Sequence, residues 1–593
     1  MAFFTPSQSP AVVTREIDLT GIVPNVGTST GVFVGNFRWG PVDKPTAVDN
    51  EARIVTLFGA PDTNNSVDFH TAAYFSKYSS EMFLVRVTDT NAGNAYDSNG
   101  TRSSLTGSSI VKNRENFDDQ ITSLNVGTDS AHSFVAKYPG DLGNSLSIEL
   151  CPFDLGDSAF DNWDHNLKFD AAPGTSAYAS GKNASNDEVH VAIVDKGGKF
   201  SGTKGEVLET FPFLSLAADA KNADGSSNYI ADVINNQSRY VWLVNAANID
   251  SDYRAAGAGT DVADSGDDFA LTNNIATKTV SLSGGVDVSS LSTSDITSGY
   301  NLVDDVDTYQ VDFLIAPPTT GSTAQDTTDH TTIINNLVTT AAVTRKDCVV
   351  VASPPKRAVM DTTTPVEDTV SFASGLTKSS YLFLDNNYLK VFDKYNDEYI
   401  NIPANSSTAG LMAQTDLNQA PWFSPAGVRR GTYFGVTSLA HSPNKAQRDT
   451  LYRAGVNPIT NLPGQGITLF GDKTMLNRPS AFDRINVRRL FLTLERAVSR
   501  AARSVLFEFN DEFTRAEFVN IVEPFLREVK GRRGITDFRV VCDETNNTPE
   551  IIDRNEFIAT IFIKPARSIN FITLNFVATR TGVDFEEVVG LSF

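Results

Sequence analysis

Val311-Asp312-Phe313-Leu314-Ile315 is a largely apolar run of strand length. A helical pattern follows at Thr331–Thr344, and Cys348-Val349-Val350-Val351 is a second apolar run. Strands alternating with helices argue for a mainly parallel sheet. The same alternation occurs near the start of the chain. Val32-Phe33-Val34-Gly35 reads as a buried strand, 50–58 and His70–Tyr78 as helices, and Met82–Val87 as the next strand. Tyr381–Leu384 and Val391-Phe392-Asp393 extend the later half. The two stretches are expected to build one sheet, so the fold class is a mixed α+β and α/β multidomain chain whose α/β core is split by an insertion. An insertion that leaves from exposed loops keeps its host core intact.

Between the halves the pattern changes. Residues 91–120 are rich in Asn, Ser, Thr and Gly and read as loop. Short strand-like pieces then occur at Ser133–Tyr138, Ser145–Leu150, Val189–Asp195 and Tyr240–Asn245, so the insertion is β-rich. Residues 250–300 carry few large apolar groups and are expected to be an exposed loop region. Asp264, Asp267 and Asp268 lie there, without the spacing of a Ca²⁺-binding loop.

A C-terminal α+β domain is expected from near 430. Over 482–506, Leu490, Leu494, Ala497, Val498, Ala501 and Val505 fall in one helical arc, and Arg489, Arg496, Arg500 and Arg503 in another. The arginine stripe is either a docking surface or a solvated face. A second helix, 514–530, carries Arg527, Lys530, Arg532 and Arg533 near its end, where cations suit the helix dipole. Strands follow at Phe538–Cys542, Phe557–Ile563 and Ile569–Val577.

Both termini carry alternating segments without an evident partner. Val12, Val13, Arg15, Ile17 and Leu19 mark the first; Val583, Phe585, Glu587, Val589 and Leu591 mark the second. A lone strand must pair with something. Each could add to a sheet of its own chain or of a neighbour.

The 593 residues carry a net charge of −22. Residues 481–593 hold 16 basic and 17 acidic groups, so almost all of the excess lies in the first 480. A chain this acidic repels phosphate, which argues against direct nucleic-acid binding. No apolar run is long enough to insert in a membrane. The first residues lack the pattern of a signal peptide, and Cys151, Cys348 and Cys542 are widely separated, which together suggest a reducing cytoplasm.

Chemistry is sparse. Six histidines are scattered, without HxxxH or HExxH spacing, so no metal or other cofactor is expected. No GxxxxGK[ST] phosphate loop occurs. Gly27-Thr28-Ser29-Thr30-Gly31 matches G-x-S-x-G, but a nucleophile elbow needs a helix after the serine, and a strand is expected there. The balance favours a structural or binding protein over an enzyme; an α/β hydrolase using Ser29 is the distant alternative.

Several passages resemble the contractile tail sheath proteins of bacterial viruses and of related injection machines. They are Gly31-Val32-Phe33-Val34-Gly35 with Trp39-Gly40-Pro41-Val42, Leu57-Phe58-Gly59, Phe83–Val87, Ala136-Lys137-Tyr138-Pro139-Gly140 with Gly143-Asn144, and Leu282–Asp287. The most specific is Ala420-Pro421-Trp422-Phe423-Ser424-Pro425-Ala426-Gly427, leading to Gly455–Ile459 and to FDRINVRRLFLTLERAV at 482–498.

The resemblance implies a subunit that stacks as hexameric rings around a tail tube and contracts from a metastable extended state to drive that tube through the host envelope. It implies an N-terminal arm at 1–20, an α/β core of 21–95 and 300–430, an outward β-rich insertion of 96–299, an inner domain of 431–577 and a C-terminal arm of 578–593. Strands from neighbouring arms would complete the inner domain's sheet. Arg489, Arg496, Arg500 and Arg503, or Arg527, Lys530, Arg532 and Arg533, become candidates to face the tube, although the first helix could equally be buried. Other implied partners are baseplate and tail terminator proteins, in a virion tail assembled in the host cytoplasm. The sheath of a phage-like bacterial injection system or tailocin is the nearest alternative.

Overall fold

A computed structural model describes residues 29–78, 81–97, 110–124, 133–154, 158–246, 276–288, 290–319, 321, 323–476 and 478–568. Its central sheet has six strands in the order Leu382–Leu384, Val349–Ala352, Phe313–Ile315, Gly31–Gly35, Met82–Arg86 and Thr46–Val48. The first five are parallel, and Thr46–Val48 runs antiparallel to Met82–Arg86. Gly31–Gly35 pairs with Phe313–Ile315 on one side and Met82–Arg86 on the other, so the two separated stretches share one sheet.

Alternation along each strand supplies two cores. Phe33, Leu84, Phe313, Val349, Val351 and Phe383 pack against the helices Ser66–Ser76 and Asn405–Asn418. Val32, Val34, Val85, Leu314, Val350 and Leu384 pack on the opposite side with Ile334 and Leu337 of Ala324–Thr339 and Phe372 of Pro365–Ser374. Burial on both faces is why these strands read as continuous apolar runs. Local signals set the helix starts. Thr323 and Asp326 form a capping box, each side chain accepting from the other's backbone N–H at 3.2 and 2.7 Å.

The insertion is a seven-stranded antiparallel sheet, ordered Glu206–Ser215, Glu188–Asp195, Leu146–Pro152, Lys278–Ser283, Tyr96–Asp97, Phe134–Ala136 and Val241–Leu243. The expectation of loop over 250–300 fails in its later part. Lys278–Ser283 is an inner strand, held because Val280 and Leu282 fill one face between exposed polar neighbours. Thr293–Asn301 is a helix opened by a Ser292–Asp295 capping box, and Tyr300 donates its hydroxyl to the Ile315 carbonyl at 2.5 Å. Asp264, Asp267 and Asp268 lie outside the described residues.

One buried cation ties insertion to core. Arg86 donates to the carbonyls of Gly40 (3.0 Å), Arg38 (3.3 Å) and Pro139 (2.7 Å). Beside it a Cβ on Gly285 would stand 2.3 Å from the Gly140 carbonyl oxygen, so the backbones meet where only glycine fits.

Two compact units emerge among the described residues: 29–421 with 425–496, and 422–424 with 497–568. The division falls within the helix Ile485–Ala502. The sequence reading began a separate domain near 430, but Tyr433, Ile459, Ile467, Leu469, Ile485 and Leu492 bury in the same cluster as Phe33 and Phe313. Their apolar surface finds its cover on the α/β core. In the smaller unit, Glu512–Gly531 packs Phe518, Val522, Leu526 and Val529 inward beside an antiparallel pair, Ile535–Val541 and Thr560–Pro565. Asp511 caps this helix by accepting from the Thr514 N–H at 2.8 Å.

Candidate functional site

The arginine stripe does not form one surface. Arg489 is buried and pairs with Asp416, with its guanidinium 5.0 Å from the Phe313 ring. Arg496 pairs with Asp312 at 2.6 Å and donates to the carbonyls of Asp347 (2.9 Å) and Val311 (3.2 Å). Both side chains are turned into the larger unit, so neither is available to a tube. Neighbouring cations behave alike. Arg488 donates to the Ser380 hydroxyl at 2.6 Å and lies over the Tyr381 and Phe482 rings, and Arg484 pairs with Asp472 at 2.7 Å. Residues 484–496 are therefore a pinned strut.

Burial raises the Asp312 carboxyl above its ordinary value, while Arg496 and the Thr30 N–H act to lower it. Burial also disfavours the Arg496 cation, but Asp312 and Asp347 outweigh it and hold the guanidinium protonated. We read the pair as ionised, because a guanidinium does not give up its proton under ordinary conditions.

Of the remaining candidates, Arg500 is half-buried, and Arg503, Arg527, Lys530, Arg532 and Arg533 are exposed. Arg527 pairs with Glu523 at 2.7 Å and Lys530 with Asp537 at 3.3 Å, both surface pairs of small energetic weight. The Arg532 carbonyl accepts from the Trp422 indole N–H at 3.0 Å. Among the described residues, Ile535–Val541 and Thr560–Pro565 pair only with each other, so no described strand covers their outer edges. The arm residues Val12, Val13, Arg15, Ile17, Leu19, Val583, Phe585, Glu587, Val589 and Leu591 lie outside the described residues, as does the strand expected at Ile569–Val577.

Sequence reasoning missed a Ser–His–Asp cluster. Asp393 accepts from the Ser66 hydroxyl at 2.5 Å and lies 3.1 Å from His70 Nε2. Burial acts to raise Asp393, but hydrogen bonds from Ser66 and Asn396, with His70 close by, hold it far below the usual carboxylate range. Burial pushes His70 down. The serine is spent on the carboxylate rather than aimed at the imidazole, so this is a tie between helix Ser66–Ser76 and strand Tyr388–Asp393, not an activated nucleophile. Asp393 is 327 residues from Ser66 in sequence, too far for any local signal. At Ser29 the following segment is the strand Gly31–Gly35, which denies the elbow geometry.

Residues 292–475 match the phage tail sheath protein central domain, and residues 477–579 the phage tail sheath C-terminal domain. The chain is 31% identical to the tail sheath protein of Vibrio phage KVP40, over 98% of this chain and 99% of that one. It belongs to the phage tail sheath protein family. The tail sheath protein of Enterobacteria phage T4 is also 31% identical to this family member, with the same two coverages. A sheath tail protein of Desulfitobacterium hafniense shares its fold at a TM-score of 0.50 and 11% identity, over 93% of this chain and all of that one. A sheath tail protein of Listeria innocua does so at 0.50 and 11%, over 91% and 96%. The sheath-family chain is a structural protein of contractile tails, and its mixed α/β architecture with several sheets is that of the family. No described helix is long and apolar enough to cross a membrane.

Proposed function

We propose that copies of this chain polymerise as a helical stack of hexameric rings around a tail tube. The stack contracts from a metastable extended state and drives the tube through the host envelope for genome delivery. The observation that carries the reading is the full-length similarity to phage tail sheath proteins, which spans insertion, core and C-terminal region alike. It also favours a phage tail over a bacterial injection system.

Subunits are linked through their termini. Residues 12–19 and 583–591 add as strands to the open edges in neighbouring copies; a two-stranded sheet is marginal alone, and unpaired edges are templates for such addition. Arg503, Arg527, Lys530, Arg532 and Arg533 are the exposed cations left to meet the tube; Arg489 and Arg496 are withdrawn from that role. Baseplate and tail terminator proteins bound the stack, which is assembled in the host cytoplasm and belongs to the virion. The DNA travels inside the tube, so the net charge of −22 meets no phosphate. Bistable packing between subunits makes the transition concerted.

Negative-stain electron microscopy of the purified full-length chain, with and without its tube protein, tests this. Striated hollow cylinders are the expected result. Particles that never assemble, even on added tube, refute it. Removal of residues 1–20 is expected to leave soluble subunits that form no cylinders; normal cylinders from that variant refute the arm assignment.

A further inference from the structure

Each ring nitrogen of His190, in the sheet of the insertion, engages a backbone group of a different segment. Nε2 lies 2.7 Å from the Ala171 carbonyl, and Nδ1 accepts from the Phe213 N–H at 3.0 Å. A carbonyl only accepts and a backbone N–H only donates, so the proton sits on Nε2 and the ring is neutral. His190 is fully buried. Phe169 stacks on it at 4.5 Å, and Phe213 meets it edge-on at 4.6 Å. The ring thus joins strand Glu188–Asp195 both to the segment carrying Ala171 and to strand Glu206–Ser215. Among the described residues, Glu206–Ser215 is an edge of the sheet, and it is irregular at this point. Val189 pairs with Leu214 and Val191 with Phe211, so Pro212 and Phe213 together oppose His190 as a bulge. Pro212 has no N–H to offer a further strand, and a bulge twists an edge away from pairing. Phe213 holds a left-handed backbone, φ 52°, which a bulky residue keeps only where the surroundings overdetermine it. Its N–H is tied to His190, and its carbonyl accepts from Asn228 Nδ2 at 3.0 Å.

We infer that His190 is a proton-gated latch on the edge strand of the insertion: the neutral ring pins the Pro212–Phe213 bulge, and a second ring proton releases it. An imidazolium carries a donor on both nitrogens, so its Nδ1–H would point at the Phe213 N–H and the bond would become a clash. A cation gains something from the Phe169 face, but it leaves a backbone N–H and a ring N–H in the interior without an acceptor. No neighbouring charge is placed to offset this. On the facing strand the register partner is Cys151, whose thiol burial pushes up to about 12. On that strand too, Glu149 is engaged by the Trp163 indole N–H at 2.8 Å and lies 3.5 Å from His165. On its own strand, Glu188 accepts from the Gly174 N–H at 2.9 Å. Asp154, Lys168 and Asp170 belong to the segment that leads to Ala171, and Glu206 and Glu209 to the far half of the edge strand. None of these bonds to the ring, whose partners are Ala171 and Phe213. Burial accordingly pushes the imidazole below its ordinary value, against the bond to Ala171. A depressed histidine contributes fully above its unfolded value of about 6.5 and loses that contribution as pH falls through the folded value. The latch is closed at neutral pH and opens in acid, and the edge strand then loses the bulge that guards it.

Hydrogen exchange read by mass spectrometry on the full chain, over peptides covering 206–216 and from about pH 7.5 down to about pH 5, tests the latch. Protection, corrected for the intrinsic pH dependence of exchange, is expected to fall by up to about tenfold per pH unit below about 6.5, the limit for one linked proton. His190→Gln keeps one acceptor and one donor without titrating, and is expected to hold protection constant across that range. Flat protection in the wild-type chain overturns the inference, and so does a fall that persists in His190→Gln. A fall that vanishes in Glu188→Gln instead assigns the proton to that carboxylate and overturns it as well. Should His190→Gln fail to fold, exchange of the histidine C2 protons in the wild-type chain gives the His190 midpoint directly. A midpoint below about 6.5 is the expected result, and one at or above it overturns the latch.

Discussion

Replacing Arg496 with methionine is expected to cost the larger unit about 4 kcal/mol, the middle of the range for removing one partner of a buried ion pair. The guanidinium and its partner Asp312 are 11% and 10% exposed, so solvent cannot replace the lost contact. The Asp347 and Val311 carbonyls lose a donor as well. Asp312 keeps the Thr30 N–H at 3.0 Å, which is too little to hold a buried charge. Its carboxyl is already raised by burial, and without Arg496 it rises further. A raised carboxyl stabilises the fold below its unfolded value and loses that contribution as pH climbs through the folded value. The variant must therefore lose stability as pH rises from the unfolded carboxyl range of about 4. Asp312→Leu alone is expected to cost a similar amount. The double variant Arg496→Met, Asp312→Leu is expected to fall short of the sum by at least ~2 kcal/mol, because an apolar pair nearly replaces an ionic one. Native-state hydrogen exchange of the Phe313–Ile315 amides reads this locally, which matters in a chain of two units where global unfolding need not be two-state. Additive costs within ~0.5 kcal/mol, or a variant whose stability ignores pH, refute the ionised pair.

Arg86→Met leaves three buried carbonyls without their donor and is expected to cost at least ~3 kcal/mol; limited proteolysis between core and insertion reads it, and an unchanged cleavage pattern counts against the tie. Gly410→Ala places a Cβ 2.7 Å from the Tyr78 ring, and overpacking by ~1–3 kcal/mol is expected as a lower Tm. Burial pushes the fully buried Asp385 up to about 7 although Ser353, Asn387 and Thr408 donate to it. Its contribution is present below about pH 4 and lost as pH rises to about 7, so Asp385→Asn is expected to gain on the wild type by a few kcal/mol across that window in urea denaturation.

Legibility followed burial. Phe313–Ile315 and Val349–Ala352 are covered on both faces, so their apolar runs announced a parallel sheet. Glu206–Ser215 went unread because its outer residues are polar and Pro212 interrupts it. Lys278–Ser283 shows only Val280 and Leu282 as apolar groups, a pattern too thin to separate from loop, yet it is central in its sheet. The arginine stripe stayed open between surface and buried roles for a different reason. A helical wheel places Arg489 and Arg496 on a common side, but Asp416 and Asp312 are 73 and 184 residues away, and only the tertiary fold brings them in.

These ties constrain how a sheath of such subunits can contract. Arg86, Arg489 and Arg496 are each held by several groups drawn from distant parts of the larger unit; breaking the ion pair of Arg489 or Arg496 costs about 3–5 kcal/mol, and removing Arg86 from its three carbonyls at least ~3 kcal/mol. A contraction that releases a few kcal/mol per subunit cannot dissolve them and remain downhill. Buried ion pairs are poor sources of net stability compared with apolar packing, and what they supply instead is a penalty on every alternative arrangement. The larger unit is thus expected to pass through contraction unchanged. The free-energy difference between the extended and contracted states is then expected to reside in contacts between copies. Hydrogen exchange on extended and contracted cylinders distinguishes the cases: protection of Phe313–Ile315 and of Ile485–Arg496 is expected to be equal in both, and a difference there places the stored energy inside the subunit.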